Sequence, residues 1–95
     1  MLEVEVARKP GPLDVLLLIE VSDTTLRFDV QVKVPVYARA DIAEVWVVDL
    51  QDRRVIVHRE PTLDGFTSVR TFSRGESVAP LNFPDLLIAV SDVVG

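Results

Sequence analysis

The chain has 95 residues, which is the length of one domain. It has no cysteine, which excludes disulfide frameworks and thiolate metal sites, and its one histidine excludes multi-histidine metal sites. The net charge of −5 has the wrong sign for a domain that grips nucleic acid through a broad basic surface, so any contact with DNA must be local or belong to an oligomer. The hydrophobic content of 48% exceeds what a core of this size requires, which predicts apolar surface covered by a partner and favours a homo-oligomer.

No segment predicts a membrane span or an export signal. The longest unbroken apolar run, Val15 to Ile19, is far shorter than the roughly 18 residues that a membrane span requires. The acidic residues Glu3 and Glu5 near the start do not resemble a signal peptide. Together with the lack of cysteine, these features predict a soluble, cytoplasmic protein that does not contact membranes.

Two strands are predicted at the start of the chain. Leu2 to Arg8 alternates apolar and charged residues, which is the period of a half-buried strand. The segment Lys9 to Pro12 breaks this pattern and predicts a reversal of the chain. It leads into a second strand, Asp14 to Ser22, which is rich in Val, Leu and Ile. We expect the two strands to form a hairpin.

The segment from Phe28 to Tyr37 is ambiguous from its residues alone. Its apolar residues fall on every second position, which taken alone predicts a strand. Pro35 argues against a central strand because proline cannot donate to a ladder. Proline also disfavours a straight helix interior, so a helix here would kink or restart at Pro35.

The second half of the chain predicts further strands. Glu44 to Leu50 and Arg54 to Arg59 are separated by a polar turn and predict a second hairpin. Another strand is predicted from Phe66 to Phe72, and a short final strand or turn through Leu86 to Val90. These elements predict an α/β (α+β) fold, with a mixed or antiparallel sheet of about five or six strands and one main helix.

Four stretches, in chain order, resemble one known family: DVLLLIEVSD (14–23), FDVQVKVPVYARADIAEVWVVDL (28–50), VIVHREP (55–61) and PDLLIAVSDVV (84–94). The pattern resembles the Uma-two family of restriction-endonuclease-like proteins, whose fold is that of the PD-(D/E)xK nucleases. The resemblance implies that residues 1–95 form a single truncated domain with a partial restriction-endonuclease-like core, which matches the C-terminal half of the family. It also implies that Arg27 to Ala40 is a helix interrupted near Pro35, although the alternation of apolar residues in this segment, taken alone, predicts a strand.

The resemblance further implies Mg²⁺-dependent cleavage of DNA. In the family, carboxylates from two adjacent strands hold Mg²⁺, and a lysine helps to orient or activate the attacking water; hard oxygen ligands suit this ion. Glu20 of the IEV element corresponds to the strand carboxylate, with a catalytic and metal-binding role. Lys33 corresponds to the family's displaced lysine, which lies on the following helix.

The second metal carboxylate of the family has no direct counterpart. It belongs to a proline-aspartate element on the strand before IEV, and this chain starts only 19 residues before Glu20. Pro84-Asp85 has the same two residue types as this element but lies far downstream of Glu20 in the sequence. Asp14 is roughly 20 Å from Glu20 along an extended strand at ~3.3 Å per residue. Glu3 is the better candidate metal ligand, because one of two hairpin registers places it beside Glu20 and the other turns it to the opposite face.

Each candidate also has a structural interpretation. Glu20 could simply lie in solvent at the end of its strand or pair with a cationic side chain of the helix. Glu3 could lie on the solvent-exposed face of an edge strand. Lys33 could be a surface residue or pair with Asp29, four residues earlier. Two hypotheses therefore stay open. One is a DNase, weakly active or inactive, whose site is completed by Glu3 or a neighbouring subunit; the other is a degenerate member that serves as an oligomeric or partner-binding module.

Three further expectations concern residues outside this set. His58 is expected to be an exposed strand residue, whereas Trp46 and Phe28 are expected in the core. The densest basic group could contact phosphate or simply keep a hairpin soluble. It consists of Arg53, Arg54 and Arg59.

Overall fold

A computed structural model of the chain describes the backbone of residues 2–7 and the whole of residues 15–95. Its main element is a five-stranded mixed sheet of order β1-β2-β3-β4-β5. The strands are β1 (Leu2–Ala7), β2 (Val15–Ser22), β3 (Glu44–Asp49), β4 (Arg54–Thr62) and β5 (Gly65–Ser73). β2 and β3 are parallel, and the other neighbouring pairs are antiparallel. The predicted fold class is confirmed. The predicted reversal at Lys9 to Pro12 lies outside the described residues.

The crossover from β2 to β3 is helical from residue 26 to residue 39. It consists of α1 (Leu26–Phe28), a π-helical turn (Asp29–Lys33) and α2 (Val34–Arg39). In the π-helical turn, the N–H of Val34 donates to the carbonyl of Asp29, five residues earlier. In a regular α-helix, the ring of Pro35 would clash with the carbonyl four residues earlier, and the wider turn relieves this crowding. The predicted helix is confirmed, with its interruption just before Pro35.

The alternating apolar residues of this helix lie on two opposite sides. Two residues of an α-helix rotate by about 200°, so every second residue changes side. Three residues form an inner stripe against the sheet: Val30, Val34 and Ala38. Three others form an outer stripe, each about half exposed: Phe28, Val32 and Val36. Phe28 is 55% exposed, so its predicted place in the core is wrong.

Each face of the sheet has its own hydrophobic core. On the helix side, Leu18 and Val47 belong to a cluster that includes Val34 of α2. On the opposite side, which we call the tail side, Trp46 packs in a cluster with Val90 near the end of the chain. Trp46 is buried as predicted. Because successive strand residues point to opposite faces, alternate residues of β2 and β3 contribute to different cores.

The C-terminal segment covers the tail side. It contains a small antiparallel pair, β6 (Ser77–Val78) and β7 (Ile88–Ala89), followed by α3 (Val90–Val94). β7 lies within the segment for which a short final strand was predicted. No helix within residues 15–95 is long and apolar enough to cross a membrane.

Candidate active site

Glu20 lies near the C-terminal end of β2, on the helix side of the sheet, and is fully buried. The helix 26–39 brings Lys33 over this strand, and the Lys33 Nζ lies 3.0 Å from the Glu20 Oε1. The side chain of Lys33 is 28% exposed, so its ammonium group is within reach of both the carboxylate and solvent. The structure thus brings together Glu20 and Lys33, the two residues that the resemblance selected.

Tyr37 is a third member of this group, and the sequence analysis assigned it no role. Its hydroxyl group donates a hydrogen bond to the same oxygen, Glu20 Oε1. Tyr37 lies four residues after Lys33, and side chains at this spacing share one side of a helix. This spacing is the signal that could have indicated Tyr37 once Lys33 was selected.

The π-helical turn aligns the polar residues of the helix with the sheet. Asp29, Lys33 and Tyr37 follow one another at intervals of four residues and form a polar stripe. Four residues of an α-helix exceed a full turn by about 40°, so such a stripe normally drifts around the axis. A π-helical turn has more residues per turn and therefore rotates less per residue, so the rotation from Asp29 to Lys33 offsets the drift of the α-helical residues that follow. As a result, all three side chains reach β2 or its end.

The second oxygen of Glu20 has no hydrogen-bond partner within the described part of the chain, although it is buried. Polar atoms in this state are rare and call for an explanation, such as a bound ion. In the ladder between β1 and β2, Glu3 is the residue directly opposite Glu20. Of the two predicted registers, the structure therefore has the one that pairs Glu3 with Glu20. The side chain of Glu3 lies outside the described residues. Among the side chains that are described, no three acids or histidines group closely enough to hold a metal.

Asp29, the first residue of the π-helical turn, is a second fully buried carboxylate on the helix side. Its Oδ2 accepts hydrogen bonds from the hydroxyl of Ser22 and, at 2.9 Å, from that of Thr25. Ser22 is the last residue of β2, and Thr25 directly precedes the helix. Oδ1 is buried and has no partner within residues 15–95. Asp29 therefore ties the start of the helix to the end of β2.

Glu44 is a buried carboxylate on the tail side, and both of its oxygens have partners. Oε2 accepts from the Trp46 indole at 2.8 Å and forms an ion pair with the Arg59 Nη2 at 2.8 Å. Oε1 accepts from the backbone N–H of Leu81 at 2.7 Å. Arg59 also donates to the carbonyl of Ala79 at 2.8 Å. This network fastens the C-terminal segment to the sheet.

The predicted basic group is used within the protein. Arg54 forms an ion pair with the buried Asp49 at 2.8 Å, and Arg59 pairs with Glu44. Arg53 donates to the carbonyl of Gly95 at 3.2 Å. These contacts hold the hairpin and the end of the chain, so they favour the structural interpretation of the group.

His58 is buried, at 4% exposure, and the expectation of an exposed residue is wrong. Its Nδ1 lies 3.3 Å from the carbonyl oxygen of Val45, and its ring meets Phe66 edge-on at 5.9 Å between centroids. Burial lowers the pKa of the His58 imidazole below its ordinary value, and hydrogen bonds with the backbone of Val45 and Ile56 oppose this shift only partly. The residue lies on the helix side, opposite Val45 in the ladder between β3 and β4.

Comparisons with known proteins agree with this architecture. The structure is similar to the crystal structure of a putative nuclease belonging to DUF820 from Anabaena variabilis ATCC 29413, with a TM-score of 0.66 and 17% sequence identity. The similarity covers 84% of this chain but 44% of that nuclease, so the chain spans less than half of its length. At this identity, the likeness shows the fold alone. None of the curated proteins compared with the chain matches it in sequence.

The family comparison covers more of the chain. The model of the family Uma2, described as "Putative restriction endonuclease", matches residues 3–91. This range includes the five strands of the sheet, the helix 26–39 and the C-terminal pair of strands. It covers nearly the whole chain, and it does not assign the chain to the C-terminal half of the family. The chain belongs to the Uma2 family.

Proposed function

We propose that the chain carries the Mg²⁺-binding part of a nuclease site of the PD-(D/E)xK type, in a form that is weakly active or inactive on its own. Glu20 and Glu3 would hold the metal, and Lys33 would contact the phosphate of DNA. This proposal rests on the burial and the partners of the Glu20 carboxylate. The carboxylate is fully buried, one oxygen is held by Lys33, and the other has no partner among the described residues.

The donor set fits Mg²⁺ in its chemistry. This ion prefers carboxylate oxygens and is usually held by one or two of them, together with water and substrate phosphate. The backbone register places Glu3 opposite Glu20, which supplies a second acid on the neighbouring strand. When bound, the metal would stabilise the charge that develops on the phosphate. We further propose, from the motifs around Glu20 and Lys33, that the chain corresponds to the C-terminal half of the nuclease fold; the 44% coverage of the Anabaena nuclease gives the extent of the shared part and not its position.

The residues around the metal position have separate roles in this proposal. Lys33, as a point charge with three donors, suits a phosphate oxygen, and its partial exposure allows such a contact. Glu20 offers only one oxygen for the ion, since the other is engaged by Lys33 and Tyr37. With so few ligand atoms from Glu20, we expect weak anchoring of the metal and a low rate of cleavage.

Calorimetric titration with Mg²⁺ and Mn²⁺ tests the metal site. Heat of binding should disappear in Glu20→Gln and decrease in Glu3→Gln. Glu5→Gln is a matched control, because it removes the same charge from β1 at a position opposite Leu18, and it should bind as the unmodified chain does. If the unmodified chain binds no divalent metal, or if Glu20→Gln binds equally well, the proposed site is wrong.

Cleavage is measured separately. We expect no nicking of plasmid DNA above background by the chain alone with Mg²⁺ or Mn²⁺. Reproducible cleavage that is lost in both Glu20→Gln and Lys33→Ala would contradict the expected inactivity and would establish the site as catalytic. Loss in Glu3→Gln as well would identify the second acid.

The outer stripe of the helix favours a second candidate function, an oligomeric or partner-binding module without catalysis. Phe28, Val32 and Val36 are each about half exposed, which leaves the helix apolar on both sides. An exposed group of apolar side chains on one side of an element marks a site of contact with a partner. We therefore propose that the chain forms a homo-oligomer through this stripe. Light scattering should show a dimer or larger species that Val32→Asp converts to a monomer; a monomer at high micromolar concentration before any substitution would contradict this.

A further inference from the structure

The hydroxyl group of Tyr37 contacts the atom on which the proposed site depends. It donates to Glu20 Oε1, the oxygen that also contacts the Lys33 ammonium at 3.0 Å. Both donors come from one side of the helix, whereas Glu20 belongs to β2, 17 residues before Tyr37. Two side chains of the helix therefore converge on one oxygen of one buried carboxylate.

This arrangement distinguishes the two oxygens of Glu20. The terminal torsion of a glutamate side chain is broad and roughly two-fold, so a carboxylate with no fixed partner presents its oxygens interchangeably. Two donors at a single oxygen select one orientation. Oε1 is then held toward the helix, and Oε2 is the oxygen without a partner in the described residues.

We infer that Tyr37 is the positioning residue of Glu20: with Lys33 it fixes Oε1, so that Oε2 is the oxygen presented to a divalent cation. The inference rests on the proposed function for its second half, the cation, but not for its first half, the orientation of the carboxylate. The comparison with Glu44 supports it. There an indole donor and an arginine also meet at one oxygen, but the other oxygen accepts from a backbone N–H, so neither oxygen of Glu44 is without a partner.

The substitution Tyr37→Phe removes only the hydroxyl and keeps the ring. The first measurement is the Glu20 Cδ resonance in protein labelled with ¹³C at this carbon of glutamate, identified by its absence in Glu20→Gln. We expect Tyr37→Phe to shift and broaden this resonance in the metal-free chain. Ile42→Val is the matched control, because it loosens the same helix-side core and removes no group that bonds to Glu20, and it should leave the resonance in place.

The second measurement is the affinity for Mg²⁺ and Mn²⁺. Loss of one hydrogen bond that orients a ligand should weaken binding by a factor of about five, with the fold retained. Ile42→Val should bind as the unmodified chain does at a comparable loss of stability. A role confined to packing would lower the melting temperature in both variants and leave both affinities unchanged.

The outcomes separate the inference from the proposed function. An unchanged Glu20 resonance in Tyr37→Phe overturns the inference, as does an affinity loss of the same size in Ile42→Val. A changed resonance together with no metal binding by the unmodified chain overturns the proposed function and leaves the orienting role of Tyr37 in place. A changed resonance with weaker binding in Tyr37→Phe alone supports both.

Discussion

Glu20 and Glu44 are two fully buried carboxylates on opposite faces of one sheet. Each is paired with a cation from a later part of the chain and accepts a hydrogen bond from an aromatic side chain: Lys33 and Tyr37 for Glu20, Arg59 and Trp46 for Glu44. The difference lies in the second oxygen. Glu44 Oε1 accepts from the backbone of Leu81, whereas Glu20 Oε2 has no partner in the part of the chain that the structure describes.

The difference separates a structural carboxylate from a candidate ligand. A buried charge is tolerated when its partners satisfy it, and the network of Glu44 is complete within the protein. Burial and pairing alone would have selected both residues. An unsatisfied oxygen is found at Glu20 and at Asp29 but not at Glu44, and Glu20 also has an acid, Glu3, directly opposite it in the sheet. The following predictions test whether Glu20 and Glu44 differ in this way.

The largest effect is expected for Glu44→Ala. Removal of one partner from a buried ion pair typically costs about 3–5 kcal/mol. We expect the lower part of this range, since the side chain of Arg59 is 28% exposed and can regain water. The free energy of unfolding in urea measures it. The double variant Glu44→Leu, Arg59→Met should recover part of the loss; a double variant as unstable as Glu44→Ala would show that the unpaired charge of Arg59 is not the cause of the loss.

Next in size is Val36→Pro, which tests the helix that supplies Lys33 and Tyr37. Val36 is half exposed, so the expected cost of about 3 kcal/mol comes from the backbone. Val55→Thr on β4 is the control; it places a hydroxyl in the tail-side core at a cost of about 1–2 kcal/mol. Urea denaturation gives the free energy of unfolding of both variants and shows which of them is less stable. A greater loss in Val55→Thr would mean that the helix contributes less to stability than its place over Glu20 suggests.

A smaller loss of stability is expected for Glu20→Gln. Glutamine can keep the hydrogen bond from Tyr37, and the partly exposed Lys33 can turn to water, so we expect about 1 kcal/mol. Thermal or urea unfolding beside Glu44→Gln measures the contrast. Equal losses in the two variants would remove the distinction between the two carboxylates.

The smallest effect is the dependence of stability on pH through His58. Because burial lowers the pKa of its imidazole below the ordinary value of 6.5, the unfolded chain takes up a proton that the folded chain does not. Stability should therefore fall as the pH drops below about 6.5, and His58→Leu should reduce this slope. Melting temperatures between pH 7.5 and 5.5 test it; an identical slope in both proteins would show that other groups are responsible.

The strands could be predicted from the residue pattern, and the helix and two members of the candidate site from the family resemblance. The strands follow from runs of apolar residues between turn residues, and Glu20 and Lys33 follow from the resemblance of their motifs. The role of Tyr37 could not be derived from the segment alone, because the atom that it contacts lies 17 residues away on another element. The burial of His58 depends on Phe66, which the fold brings against its ring.

What the sequence determined by itself is the composition of local structure: a strand-rich domain, and a segment around Pro35 that is either a strand or an interrupted helix, for which the family resemblance selected the helix. Only the tertiary structure decided which side of each element is covered. The alternation in Phe28 to Val36 fits a strand, in which every second residue returns to the same face. It also fits a helix with an inner and an outer stripe, because two residues rotate an α-helix by about 200°. The sequence also does not distinguish the two buried glutamates. Glu20 and Glu44 are alike until the helix covers one face of the sheet and the C-terminal segment the other, and partners from distant residues then decide which oxygen is satisfied.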